Sequence, residues 1–278
     1  MIPVENALEI VLAHAPRLAV ENVDFQDALG RVLAEDVFSD LDLPPFPRSA
    51  MDGYALRAED VTHASTKLQV IGTIPAGTNP SFEVKKGQAA QIMTGAPVPR
   101  GADSVHIVEK TRLYGTDVEI LELVTPGQNI IPRGKEVTTG DTVLRKGTLL
   151  GPAAVAVAAT VGKTRFQVGC RPRVAVIATG NELVPPTRKP GPAQIRNSNG
   201  YSLSAQATKA GARVSYLGVA EDDKASLSPL IRQGLTHDVL LLSGGVSMGR
   251  LDLVEEVLEE LGVRILIDKV ALKPGKPT

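Results

Sequence analysis

Two sets of residues in this sequence have the types and spacing for chemistry, one suited to phosphate and the other to a positioned acid. Ser243-Gly244-Gly245-Val246-Ser247-Met248-Gly249 follows an apolar run and precedes a helical pattern, where free backbone N–H groups and the helix dipole favour an anion. Gly244 and Gly245 would let backbone approach a phosphate closely, although a tight strand-to-helix connection uses glycines in the same way. Asp252 falls just inside that helix, either as a first-turn acid stabilised by the dipole or as a carboxylate facing bound phosphates through a metal ion. Asp222, Asp252 and Glu182 would repel a phosphate. Magnesium resolves the conflict, because a hard dication takes oxygens from one or two carboxylates, from phosphates and from water. Lys273 and Lys276, separated by Pro274 and Gly275, add positive charge from a stiff loop, or form a solvated basic turn.

The second set lies earlier, in PPFPRSAMDGYAL at residues 44 to 56. Pro44, Pro45 and Pro47 each fix φ and remove a backbone donor, so the segment is expected to run extended into a Met51-Asp52-Gly53-Tyr54 turn. That turn should point the Asp52 carboxylate and the Tyr54 ring outward, with Gly53 permitting the reversal. A plain hairpin uses an Asp-Gly pair for its positive φ. Thr94 sits in a rigid loop with Gly95, Pro97 and Pro99, where its hydroxyl can serve an oxyanion or cap a turn. Arg133 and Glu136 follow, and a solvent salt bridge is their plain explanation.

These groups need elements to hold them. Val4, Ala7, Leu8, Val11 and Leu12 have helical spacing, with Pro3 suited to the first turn. Short runs such as LQVIGTI, SVHIVEK and VEILELV, separated by Gly, Pro, Asn and Thr, predict a compact mainly-β domain over 48–136. A return segment over 137–168 holds a strand and turn in GDTVLRKGTLL and a small-residue helix opened by Pro152. From Arg173 the period becomes strand, loop, helix: RVAVIAT reads as a strand buried on both faces. RVSYLGVA, DVLLLSG and VRILIDK read as further strands, with helices from about 199 to 210 and in ASLSPLIRQGL and DLVEEVLEELG, giving a parallel α/β sheet. Such sheets bind ligands beyond the carboxyl ends of their strands. Thr179 to Glu182, Glu221 to Asp223 and Ser243 to Gly249 all fall there.

At 278 residues, the chain is long enough for two or three domains. With 30 basic and 31 acidic side chains it offers no electrostatic case for nucleic acid or an anionic membrane. No stretch approaches a membrane span and the N-terminus has no signal pattern, so a cytoplasmic location is expected. Cys170 is the only cysteine, which excludes an intrachain disulfide or a cysteine-based zinc site, and it reads as a buried small side chain. His14, His63, His106 and His237 lack metal-ligand spacing and read as surface or structural residues.

PPFPRSAMDGYAL resembles the signature of the MoeA family of molybdopterin molybdenumtransferases, which includes the C-terminal domain of gephyrin. Further blocks follow in family order: QIMTGAPVPRGADSV, GQNIIPRGKEV, GDTVLRKGTLL, VAVIATGNEL, IRNSNGYSL, LLSGGVSMGRLD and KVALKPGKPT. The resemblance implies a multidomain α/β and β protein. Residues 1–47 and 137–168 would form a discontinuous linker domain, 48–136 an inserted mainly-β domain, and 169–278 a parallel-sheet, MogA-like molybdopterin-binding domain. Family members continue beyond the KPGKP run, so the chain is expected to correspond to an N-terminal portion.

The activity so implied is insertion of molybdate into adenylylated molybdopterin with release of AMP. Ser243, Gly244, Gly245, Ser247, Asp222, Asp252, Lys273 and Lys276 would bind the pterin phosphate and AMP moiety with magnesium. Asp222 and Asp252 would be its ligands. Asp52, Thr94, Arg133, Glu136 and Glu182 would line the molybdate and dithiolene side, orienting water or exchanging protons with oxo ligands. The implied assembly is a homodimer whose cleft joins the α/β domain of one subunit to the β domain of the other, with a molybdopterin adenylyltransferase as a further partner. The sequence departs from the family pattern at Ile131, where an arginine is common, at Glu136 for aspartate, at Asn181 for an acid and at Leu253 for an aromatic. Two other readings stay open: a gephyrin-type scaffold, and a molybdopterin adenylyltransferase. Enzymes of the latter kind resemble only the part after Arg173, so the SAMDGYA, MTGAP and PRGKEV blocks weigh against it.

Overall fold

The computed structural model of the chain describes residues 1–244 and 253–272. The chain forms two compact units, one of Glu35–Thr148 with Pro152–Thr164, the other of Met1–Ala34, Leu149–Gly151 and the chain from Arg165 onward. These cuts differ from the expected ones at residues 47, 136 and 168.

The first unit is built on a six-stranded sheet in the order Ser104–Ile107, Gly53–Leu56, Gln88–Ile92, Thr66–Ile74, Asp117–Ile120, Thr111–Tyr114. Thr66–Ile74 and Gln88–Ile92 run parallel and the other neighbours antiparallel. Strand side chains alternate between faces, and both faces are covered. Tyr54, Leu56, Leu68, Val118 and Ile120 form one core cluster, and Ala55, Ile74, Ala90, Ile92 and Val105 form another. The unit also holds two small strand pairs, Arg48–Ser49 with Ile130–Ile131 and Val37–Phe38 with Thr142–Leu144. The helix Pro152–Thr160 starts at Pro152, whose missing N–H costs nothing at that position.

Two expectations about the Asp52 turn are overturned. Tyr54 does not point outward but is 4% exposed in the core, because it is already inside the strand Gly53–Leu56, buried along its whole length. Nor does Gly53 provide positive φ for a reversal. A Cβ there would lie 1.9 Å from the His106 carbonyl oxygen, so glycine is required by the close approach of Ser104–Ile107, the neighbouring strand. His106 is structural, 1% exposed, with Nε2 3.2 Å from the Lys110 carbonyl.

In the second unit, Arg173–Thr179 is the middle of three parallel strands, flanked by Arg213–Ala220 and Val239–Ser243. Val174 through Thr179 are buried without interruption, as a strand with both faces covered requires. Helices Asn199–Lys209, Lys224–Gly234 and Leu253–Glu260 accompany the sheet. Ile177, Ala220, Leu227, Ile231, Val254 and Val257 make one core cluster. Asp223 caps Lys224–Gly234, accepting the Ser226 N–H at 2.8 Å.

VRILIDK is not a strand. Ile265 and Leu266 are exposed, and beyond them Val270 forms an isolated bridge with Ile2. Its apolar composition suits a strand, but no strand of the described residues pairs with it. The N-terminal helix Val4–His14 forms as expected, yet Val4, Leu8, Val11 and Leu12 are exposed and only Ala7 is buried. Val20–Asp24 pairs antiparallel with Arg165–Gly169.

Candidate functional site

The described residues among those singled out from sequence fall into two sets, one in each unit. In the β unit, the Asp52 carboxylate is exposed just ahead of the buried strand Gly53–Leu56. Its Oδ1 accepts the Thr94 N–H at 2.7 Å and the Thr94 hydroxyl at 3.0 Å. The Asp52 carbonyl accepts the Val108 N–H at 3.1 Å. The Thr94 hydroxyl is thus directed to Asp52. The backbone bond from Thr94, then its hydroxyl, holds the Asp52 carboxyl below the usual carboxylate range. Asp52 is therefore ionised at neutral pH, a fixed charge and hydrogen-bond acceptor more than a reservoir for protons.

The loop bearing Thr94 is anchored from behind. Gly95, at φ +80°, donates its N–H to the Ser49 carbonyl at 2.8 Å. Ser49 donates its hydroxyl to the Met51 carbonyl at 2.6 Å and its own N–H to Ala96. Through its pairing with Ile130–Ile131, the segment Arg48–Ser49 also ties this loop to the block carrying Arg133 and Glu136.

Arg133 and Glu136 do not pair with each other. Arg133 Nε donates to Asp42 at 2.6 Å, and Asp42 also accepts the Thr139 N–H at 2.9 Å and hydroxyl at 3.0 Å. Those Thr139 bonds, backbone first, together with Arg133 hold the Asp42 carboxyl below its ordinary range. Glu136 instead accepts a 3.2 Å bond from Nη2 of Arg48. Arg48 is the cross-strand partner of Ile131, the position at which the resemblance led one to expect arginine. Sequence reasoning missed both Asp42 and Arg48. Their pairings span 91 and 88 residues, and no local spacing announces a contact of that range.

In the α/β unit, the carboxyl ends of Arg173–Thr179 and Val239–Ser243 open into a cleft of about 170 Å³ lined by Thr179, Glu182, Asn197, Asn199, Ser243 and Gly244, among others. Gly244 has φ +105°, and a Cβ on it would fall 2.4 Å from the Thr179 carbonyl oxygen. Only glycine fits this close approach. The Thr179 hydroxyl beside it is buried with no hydrogen-bond partner among the described residues. Glu182 turns its carboxylate back over Gly180, where an added Cβ would lie 2.6 Å from Oε2.

Asn181 and Asp222 bond reciprocally. The Asp222 N–H donates to Asn181 Oδ1 at 3.1 Å, and the Asn181 N–H donates to Asp222 Oδ2 at 3.4 Å. Each side-chain oxygen thus takes the backbone N–H of the other residue, which ties the loops after Arg173–Thr179 and Arg213–Ala220 together. Asp222 offers one carboxylate for a cation, and among the described residues no three His, Cys, Asp or Glu side chains form a metal cage. Gly245, Ser247, Asp252, Lys273 and Lys276 lie outside the described residues.

Residues 2–162, more than half of the chain, match the MoeA N-terminal region (domain I and II), and residues 175–278 match a probable molybdopterin binding domain. The chain is similar to the molybdopterin molybdenumtransferase of Nostoc sp., 38% identical over 286 residues that cover 100% of this chain and 66% of the relative. The corresponding protein of Staphylococcus epidermidis is 36% identical over 282 residues, covering 100% and 67%. The chain thus spans about two thirds of the length of these curated relatives. A solved molybdopterin biosynthesis MoeA protein from Pyrococcus horikoshii superposes with a TM-score of 0.84 at 33% identity, over 100% of this chain and 71% of that one. A second structure of that description gives 0.79 at 39% identity, with the same coverage. With the signature blocks, the two domain matches and these relatives in agreement, this chain belongs to the MoeA family.

Proposed function

We propose that the chain serves molybdopterin molybdenum transfer: molybdate is inserted into adenylylated molybdopterin and AMP is released. The observation that carries this reading is the presence of two chemically different constellations on two units. One is an ionised carboxylate locked by a threonine, suited to hydrogen-bonding water, thiols or protonated oxo groups. The other is a cleft at the carboxyl ends of parallel strands, with Gly244, Ser243, Thr179 and Arg196 in its lining, suited to phosphate.

When an oxo group of molybdate gives way to the two dithiolene sulfurs, it leaves as water with the two thiol protons. Asp52 would orient those donors, with Thr94 fixing its direction, while Arg133, Glu136 and Glu182 complete the molybdate side. Ser243, Gly244, Gly245, Ser247, Lys273 and Lys276 would hold the phosphates. Asp222 and Asp252 would hold magnesium, which would supply positive charge against that of the diphosphate. One or two carboxylates suffice for magnesium that keeps water and phosphate ligands, so the single carboxylate of Asp222 among the described residues fits it.

The division into a 1–47 plus 137–168 linker domain, a 48–136 β domain and a 169–278 α/β domain belongs to the same reading. So do a homodimer with a shared cleft, a cytoplasmic setting and an adenylyltransferase that supplies the substrate. The experiment is a single-turnover assay of AMP release from adenylylated molybdopterin, with magnesium, against molybdate concentration. Release that rises with molybdate and saturates is the expected result; release indifferent to molybdate would refute the reading.

A further inference from the structure

Arg48 is unlike the other arginines of the β unit. Across the pair formed by Arg48–Ser49 and Ile130–Ile131, it is the only charged side chain, and Ile131 stands directly opposite. The same segment meets the Thr94 loop, through a bridge between Arg48 and Pro97 and the bond from Gly95 to Ser49. Arg48 therefore stands between the loop that locks Asp52 and the block that carries Glu136. Its stem is packed so closely that Nε is buried with no hydrogen-bond partner among the described residues, while the side chain as a whole stays 37% exposed. A solvated surface ion pair would leave Nε in water. Here that nitrogen is dehydrated without return, and the planar end is held with one bond, from Nη2 to Glu136. The remaining Nη hydrogens have no partner among the described residues.

Arg133 is placed differently. Its Nε is committed to Asp42, which also bonds Thr139, and its side chain is 64% exposed, so it lacks the packed, dehydrated seat that fixes Arg48. Resting on the molybdenum-transfer reading, we infer that Arg48 is the guanidinium through which the β unit contacts a tetrahedral oxyanion, with Glu136 fixing its plane. A fork of N–H donors held in advance matches two oxygens of such an anion and loses little freedom on binding. The charge is needed because the Asp52 and Glu136 carboxylates would otherwise repel a dianion.

The probe is sodium molybdate, titrated calorimetrically into this chain and into Arg48→Gln and Arg48→Lys. Arg48→Gln is expected to weaken binding about tenfold or more, with the melting temperature held within about 2 °C, since one exposed ion pair contributes little to stability. Arg48→Lys keeps the stem and charge but not the fork, and should bind with intermediate affinity. If Arg48→Gln loosens the strand pair, the folded lysine variant decides: weaker binding supports the contact and unchanged binding overturns it. Two failures are distinguishable. Wild-type chain that binds no molybdate would bring down the oxyanion reading of the β unit, and Arg48 with it. Wild-type binding matched by both variants would overturn only the role of Arg48.

Discussion

Gly53→Ala should damage the β unit far more than an alanine at any open glycine, because the obstacle is backbone. The new Cβ would lie 1.9 Å from the His106 oxygen and 2.8 Å from its carbonyl carbon. Carbon and oxygen settle at about 3.3 Å or more, so the two strands would have to part by about 1.4 Å. Hydrogen bonds near 2.9 Å do not survive such a displacement. The ladder at Gly53–Ile107 and Tyr54–His106 would therefore open at the strand end that carries Asp52. Overpacking costs about 1–3 kcal/mol, and two lost ladder bonds add about 1 kcal/mol each. The total, about 3–5 kcal/mol, corresponds to a fall in melting temperature on the order of 10 °C for a unit of this size. Gly95→Ala is the comparison. That glycine has φ +80° but open space around its Cβ position, so only the left-handed backbone penalises alanine, by about 1–2 kcal/mol. Calorimetry on the three proteins would measure the ranking. A Gly53→Ala transition within about 2 °C of wild type, or one less affected than Gly95→Ala, would refute the steric argument.

Three further outcomes are expected. Burial pushes the His106 pKa below its ordinary value of 6.5; the folded state therefore binds fewer protons than the unfolded one below pH 6.5. Its contribution to stability is full above that pH and is lost as pH falls through the depressed value, so the urea midpoint of wild type should drop between pH 8 and 5 by more than that of His106→Gln. An equal drop would show that His106 titrates normally. Gly244→Ala, which drives a Cβ against the Thr179 carbonyl at φ +105°, should reduce affinity for adenylylated molybdopterin more than tenfold by equilibrium dialysis, and unchanged affinity would remove Gly244 from the ligand cleft. Sedimentation at micromolar concentration should show a dimer; a monomer with full molybdate-dependent activity would exclude the shared cleft.

What the sequence made legible was mostly local. Continuous apolar runs marked the parallel strands, Pro152 marked a helix start, and turn residues marked the short β segments. VRILIDK misled because apolar composition does not reveal whether a partner strand is present. Tyr54 misled for a related reason. The step from turn to strand occurs at Gly53, one residue earlier than the Asp-Gly pair suggests, and alternation then puts the ring into the core. Asp52 and Thr94 were both visible as candidates, but their direct bond connects residues 42 apart. The arginine missing at Ile131 looked like a loss of charge until register placed Arg48 across from it.

The central claim, that the Asp52–Thr94 pair acts on molybdate rather than on the nucleotide, is tested most directly by Asp52→Asn. Asparagine keeps nearly the same volume and can still accept both Thr94 bonds through Oδ1, so the turn should persist while the charge is lost. In a single-turnover assay at saturating molybdate, adenylylated molybdopterin should bind with near-normal affinity. AMP release should fall by about 10²-fold or more, the range for removing one preorganised electrostatic contact to the reacting groups. Unchanged AMP release would reduce Asp52 to a turn residue, and loss of the binding step would place it on the nucleotide-docking surface, contradicting the claim either way.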